Sequence, residues 1–173
     1  MSSSIARVAS VLFLVSVAVV GCSPKPQVRT QSTNAAGIAA HRTYLIELSE
    51  TPPPGYAPAK RSKDVLEMAR PKVDAELTRK GYVAGTGETD LVVRLSAGVR
   101  TVIDEPSGRV AVEGAPADVD EVSTLAVAIV DRKSGENLFS GAAKKEVHRK
   151  GIKDSDVAYA VTQILEPVPA ASR

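Results

Sequence analysis

Between Ser62 and Lys80 the apolar residues Leu66, Ala69, Val73 and Leu77 recur every three or four positions. Val65 and Met68 widen the stripe, and Lys, Arg, Asp and Glu fill the rest. That spacing predicts a helix with one buried face. Ser62 is placed to cap its start, Arg79 and Lys80 suit its negative end, and Gly81 suits the left-handed position beyond it. Pro71 falls inside the stripe and could start a shorter helix, but the stripe continues through it, so one kinked helix is expected. A second stripe, Val157, Ala160, Val161, Ile164 and Leu165, predicts another helix, capped by Asp154 or Ser155 and stopped by Pro167.

Elsewhere the period is two. Tyr44, Leu45, Ile46 and Leu48 form a short β-prone run that ends in the turn-forming TPPPGYAP. Leu91, Val93, Leu95, Ala97, Val99 and Ile103 share one face of a longer strand, with Arg94, Ser96 and Arg100 on the other. Leu125, Val127 and Ile129, then Phe139, Ala143 and Val147, mark two strands joined at Asp131 to Glu136, where Gly135 can take the positive φ of a bulged hairpin. The order is β-α-β-β-β-α. Strands joined by short turns are antiparallel neighbours, and two one-sided helices must cover the same apolar face. The expected fold is therefore α/β of the α+β kind: a two-layer sandwich with a mainly antiparallel sheet of about four strands under two helices. It should occupy residues 41–167, between a flexible tether at 22–40, polar and without sustained periodicity, and a disordered tail at 168–173.

A third pattern has no polar interruption beyond serine. Arg7 precedes the apolar run Val8 to Val20, which closes on Gly21 and Cys22. A positive n-region, a short apolar core and a small residue at the cut make an export signal, and the run is too short for a spanning helix. Cys22 is the sole cysteine. A structural role would need a folded neighbourhood, but Ser23, Pro24, Lys25 and Pro26 read as extended chain. Metal binding would need partners at ligand spacing, and a nucleophile a nearby base; neither is present in the neighbouring sequence. Val19, Val20, Gly21 and Cys22 resemble the lipobox of bacterial lipoproteins. That resemblance implies cleavage between Gly21 and Cys22, a covalent diacylglycerol and acyl lipid such as palmitate on the cysteine, and a membrane anchor. Ser23 stands where Asp favours inner-membrane retention, so it implies the outer membrane, facing the periplasm.

Composition narrows the partners. Aromatics make up 3% with no Trp, and 22 basic residues face 20 acidic ones. Stacking platforms and a broad positive footprint are both lacking, so nucleic acid is not expected as a partner. The expected partners are the membrane, through the anchor, and an envelope protein or polymer. The one charge cluster is KKEVHRKGIK, where Lys144, Lys145, Arg149 and Lys150, with Lys153, could contact an anionic surface. As a plain strand end it would be merely solvated. AGTGETD, residues 84–90, lacks the Lys-Ser/Thr of a phosphate loop and reads as a turn. Asp104, Glu105, Glu113, Asp118, Asp120 and Glu121 do not fit a calcium loop. His41 and His148 are expected to be exposed and unpartnered, and no catalytic residue, metal site or further cofactor is expected.

The segments HRTYLIEL, VDAELTRKGYVAGTGETDLVVRLSAGV, STLAVAIVDRKSGENLFSGAA and VAYAVTQIL resemble the bacterial lipoprotein domain family DUF4136, over roughly residues 41–166. The shared steps are Leu77 to Tyr82, Asp90 to Val92, and Asp131 to Gly141. Phe139 stands where relatives commonly have Trp, and DEPSGRVAVEGAPADVD replaces a Gly/Tyr-rich loop. No activity comes with the resemblance. The expected function is a non-enzymatic, membrane-anchored envelope lipoprotein with a binding or assembly role. The alternative is an envelope hydrolase or lipid carrier with a site between sheet and helices.

Overall fold

A computed structural model of the chain describes residues 25–103, 119–147 and 151–172. In chain order the elements are β1 (Gln27–Ser32), α1 (Ala35–Ala39), β2 (Thr43–Leu48), α2 (Lys60–Arg79), β3 (Val83–Ala84), β4 (Leu91–Ile103), β5 (Val119–Asp131), β6 (Asn137–Val147) and α3 (Asp154–Leu165). The strands form one sheet in the order β1-β6-β5-β4-β2-β3. From β4 through β1 every pairing is antiparallel, while β2 runs parallel to both β4 and β3. A parallel neighbour needs a crossover, and α2 supplies it between β2 and β4. The α+β sandwich is as expected, with two more strands and one more helix.

The period-two residues meet the helical stripes. Leu91, Val93, Leu95, Leu125, Val127, Ile129 and Phe139 line the covered face of the sheet and share a core with Val65, Ala69, Val73 and Leu77 of α2 and Val157, Val161, Ile164 and Leu165 of α3. Gly141 marks how closely α3 lies on the sheet, since a Cβ there would meet Ile164 Cγ2 at 2.6 Å. Helix α2 runs unbroken through Pro71. The bond Pro71 cannot donate would go to the carbonyl of Glu67, and both residues are exposed, so water can satisfy it.

The caps differ from expectation by a few residues. Helix α2 begins at Lys60 with Ala59 at the capping position, and Ser62 lies inside the first turn, where its Oγ accepts from the Ala59 N–H at 3.2 Å. Helix α3 is preceded by Lys153, whose N–H donates to Asp156 Oδ2 at 3.3 Å. Gly81 takes φ +92° and Gly135 φ +74°, the left-handed positions their neighbourhoods predicted. A register shift at Ile129/Val130 accompanies the hairpin.

The folded unit is wider than 41–167. The expected tether contains β1, which pairs with β6 from Gln27↔Lys144 to Ser32↔Phe139, and α1, whose Ile38 is fully buried. Strand β1 has little apolar patterning because Val28 alone packs against the core; its backbone pairing makes it a strand. The expected tail is ordered too. Val168 is buried, Ala171 N–H donates to the Lys80 carbonyl at 3.0 Å, and Ser172 N–H to the Ala39 carbonyl at 2.9 Å.

Candidate functional site

Both long helices lie on one face of the sheet, so the residues of opposite parity face away from them. Register aligns Gly98, Thr124, Lys144 and Gln27 in one row, Arg100, Val122 and Glu146 in the next, and Ser96, Ala126, Ala142 and Arg29 on the other side. Small side chains in the middle of these rows keep the floor low. A cavity of about 510 Å³ results, lined by Lys25, Gln27, Arg29, Arg100, Lys144 and Glu146 around Val122 and Ala142, with Lys145 also at its border.

The loop after β2 closes one side. Strand β2 ends at Leu48, opposite Leu95, which leaves the next stretch of the β4 edge open. Ala57 takes it, exchanging N–H···O=C bonds of 2.9 Å with Val99 in both directions. Tyr56 is thereby laid over Gly98, where an added Cβ would stand 2.7 Å from the Tyr56 Cβ and 3.0 Å from that of Pro52. The Arg100 guanidinium and the Lys144 ammonium each lie 5.7 Å from the Tyr56 ring centre, a cation–π arrangement. The Tyr56 hydroxyl is buried without a hydrogen-bond partner among the described residues.

The described residues at this face do not balance in charge. Among the described residues, Lys25, Arg29, Arg100 and Lys144 form no ion pair. Lys25 instead rests 5.3 Å from the ring of Tyr159 on α3. Among the described residues, Glu146 is the acidic one in the cavity lining. Gathering like charges costs free energy unless an anion offsets it, so the arrangement favours an anionic occupant.

The residues expected from sequence are divided by this geometry. Lys144 lies in the cavity. Lys145 also borders it, but its ammonium pairs with Asp156 Oδ1 of α3 at 2.6 Å, both side chains mostly buried. Gly21, Cys22, His148, Arg149 and Lys150 lie outside the described residues, as do Asp104, Glu105, Glu113 and Asp118 and the side chain of Asp120. Glu121 pairs with Arg61. Arg100 was legible as a polar-face residue of its strand, whereas Arg29 and Lys25 were hidden in the supposed tether and Tyr56 in a turn.

His41 has a partner after all: its Nε2 lies 2.8 Å from Asp131 Oδ2. The other oxygen of Asp131 accepts from the Ser134 N–H and hydroxyl at 2.6 and 2.9 Å, and those bonds hold the carboxyl below the usual carboxylate range. No group of three or more His, Cys, Asp or Glu side chains suited to a metal occurs among the described residues. Between sheet and helices, the cavity bordered by Val65, Leu125, Val157 and Ala160 measures about 30 Å³. That is room for a water or two, and far less than an acyl chain needs.

The three motif steps noted in the sequence all fasten the scaffold. Tyr82 donates its hydroxyl to the Pro169 carbonyl at 3.0 Å, and Lys80 Nζ donates to the Val168 carbonyl at 2.7 Å, so the Lys-Gly-Tyr step ties the C-terminal segment to the end of α2. Asp90 accepts from the Thr43 hydroxyl at 2.7 Å and from the Thr43 and Arg42 N–H groups at 3.0 and 3.2 Å, securing the start of β2. Those three bonds, the hydroxyl foremost, hold its carboxyl below the usual range. Asp131 shapes the β5–β6 turn, with the Gly135 N–H donating to its carbonyl at 2.8 Å.

Fold and site together define a two-layer α+β domain with one face closed by helices and the other open and cationic. The chain belongs to the family described as Domain of unknown function (DUF4136), whose model matches residues 28–170. No curated protein matches it in sequence. Among solved structures, the PelC dodecamer from Paraburkholderia phytofirmans is 13% identical with a TM-score of 0.52, over 86% of this chain and 99% of that one. A PDZ domain protein from Parabacteroides distasonis ATCC 8503 is 13% identical with a TM-score of 0.54, over 86% of this chain and 37% of that one. A DUF4136 family protein from Bacteroides thetaiotaomicron is 14% identical with a TM-score of 0.49, over 83% and 96%. These are likenesses of fold. No helix among the described residues is long and apolar enough to cross a membrane.

Proposed function

We propose that the chain is a bacterial envelope lipoprotein, acylated at Cys22, whose domain is a non-enzymatic binding module for an anionic partner. The observation that carries the binding role is the set of cations, Arg29, Arg100 and Lys144 with Lys25, left without ion pairs among the described residues around the open-face cavity. The lipobox-like run ending in Gly21 and Cys22 supports the anchor, and Ser23 after it supports the outer membrane. Two or three acyl chains on one residue would hold the protein firmly, where a single chain gives only marginal residence.

Two measurements test the two halves of this reading. Metabolic labelling with a palmitate analogue should mark the wild-type chain and leave Cys22→Ser unmarked and released from membranes; a Cys22→Ser chain that still labels and sediments with membranes overturns the anchor. Retention of the soluble domain on a polyanionic resin should be salt-sensitive and should disappear in an R29Q/R100Q/K144Q variant of unchanged thermal stability. Equal retention of the two overturns the open face as the binding surface.

A further inference from the structure

We infer that the open-face cavity binds the phosphate of anionic phospholipids in the very membrane that holds the anchor, so that the Gln27 end of the sheet rests against the bilayer. The inference builds on the reading of Cys22 as acylated and of the open face as an anion site.

The spacer sets the geometry. Only Ser23, Pro24, Lys25 and Pro26 separate Cys22 from β1. Even fully extended, that stretch keeps the Gln27 Cα within about 17 Å of the acylated residue. Pro26 is already buried in the domain, so the connection has little slack. Strand β1 then runs away from the anchor, with Gln27 beside Lys144 at one end and Ser32 beside Phe139 at the other. The end of the sheet nearest the anchor is therefore the end that carries Lys144, Arg100 and Lys25. The Asp131 to Glu136 turn lies at the opposite end, about 23 Å further along β6 at the rise of a strand.

The cavity chemistry suits a phosphodiester. Arg29 and Arg100 bring planar guanidinium groups that match phosphate oxygens, Lys144 adds a point charge, and the Gln27 amide can donate. The Tyr56 ring, 5.7 Å from both the Arg100 and the Lys144 cation, holds those two side chains beside each other. Among the described residues of the lining, Glu146 is the carboxylate set against Arg29, Arg100 and Lys144. A volume of about 510 Å³ accommodates a headgroup phosphate. The short spacer also makes lipid the favoured occupant. Headgroups are held beside the cavity at high effective concentration, within the range where the surface potential acts, whereas a soluble partner would have to enter between domain and bilayer.

The test uses the chain from residue 23 onward, which retains every strand, helix and core residue described and has no cysteine. It should co-sediment with vesicles of phosphatidylglycerol and phosphatidylcholine but not with phosphatidylcholine alone. Each cation near an anionic surface contributes about a fivefold factor, so R29Q/R100Q/K144Q should weaken binding on the order of a hundredfold, while K133Q, at the far turn, should leave it unchanged. Free inorganic phosphate should not displace the protein at concentrations that leave ionic strength unaltered. A fluorophore at T101C should be quenched by brominated lipid, and one at K133C should not. Equal binding to neutral vesicles, equal binding by the triple variant, displacement by free phosphate, or quenching confined to position 133 would each overturn the inference. Salt-sensitive retention on the polyanionic resin without vesicle binding would overturn it too, and leave the broader anionic-partner reading standing.

Discussion

Alkaline pH should unfold this domain through two phenols. Tyr44 and Tyr82 are 1% and 2% exposed. Burial pushes the Tyr44 hydroxyl up to about 12, with the Asp74 carboxylate adding to the rise, and burial alone takes Tyr82 to about 12. In the unfolded chain a phenol ionises near pH 10. The folded state thus keeps two protons that the unfolded chain releases, so their stabilisation is complete below about pH 10 and is lost as pH rises towards 12. A shift of about two units corresponds to roughly 2–3 kcal/mol for each phenol, hence on the order of 5 kcal/mol for the pair, against a whole-domain stability of about 5–15 kcal/mol. Lysines titrate in the same window, so the comparison needs a variant that shares them: Y44F/Y82F. Its loss at neutral pH should be about 1–2 kcal/mol per site, because the hydroxyls donate to Asp74 Oδ1 at 2.7 Å and to the Pro169 carbonyl at 3.0 Å. Urea unfolding followed by far-ultraviolet circular dichroism between about pH 8 and 12 should show the parent stability falling more steeply and the two curves converging or crossing. Parallel curves would refute the reasoning.

Two further perturbations probe the packing around the site. G98A should destabilise by about 1–2 kcal/mol in urea unfolding, because the new methyl would stand 2.7 Å from the Tyr56 Cβ and lift that loop, whereas G87A, which faces open space, should change stability by no more than about 0.5 kcal/mol. K145A should cost about 1–3 kcal/mol by leaving the mostly buried Asp156 unpaired, and a double-mutant cycle with D156A should give a coupling of about 1 kcal/mol.

How much was legible depended on where the information lies. Helices α2 and α3, the faces of β4, β5 and β6, and the Gly81 and Gly135 positions were readable because 3.6- and 2-residue periods and left-handed turns are local properties of the chain. Strand β1 was missed because QVRTQS has a single core residue, Val28, and owes its conformation to six backbone pairings with a strand more than a hundred residues away. The ordered C-terminal segment was missed for the same kind of reason, since the side chains of Lys80 and Tyr82 hold it from the far end of α2.

By itself the sequence determined the α+β class, the two helical faces, the hairpin and the lipobox-like Cys22, each carried by residues within a few positions of one another. Only the tertiary structure decided that β2 lies parallel to β4, that Lys144 faces the open cavity while the Lys145 ammonium serves α3, that Arg29 and Arg100 join Lys144 there, and that the Tyr56 ring lies against Arg100 and Lys144. The physical reason is that sheet register, not proximity in the chain, decides which side chains share a face. A shift of one residue in the β1–β6 pairing would send Arg29 to the covered side and dissolve the site.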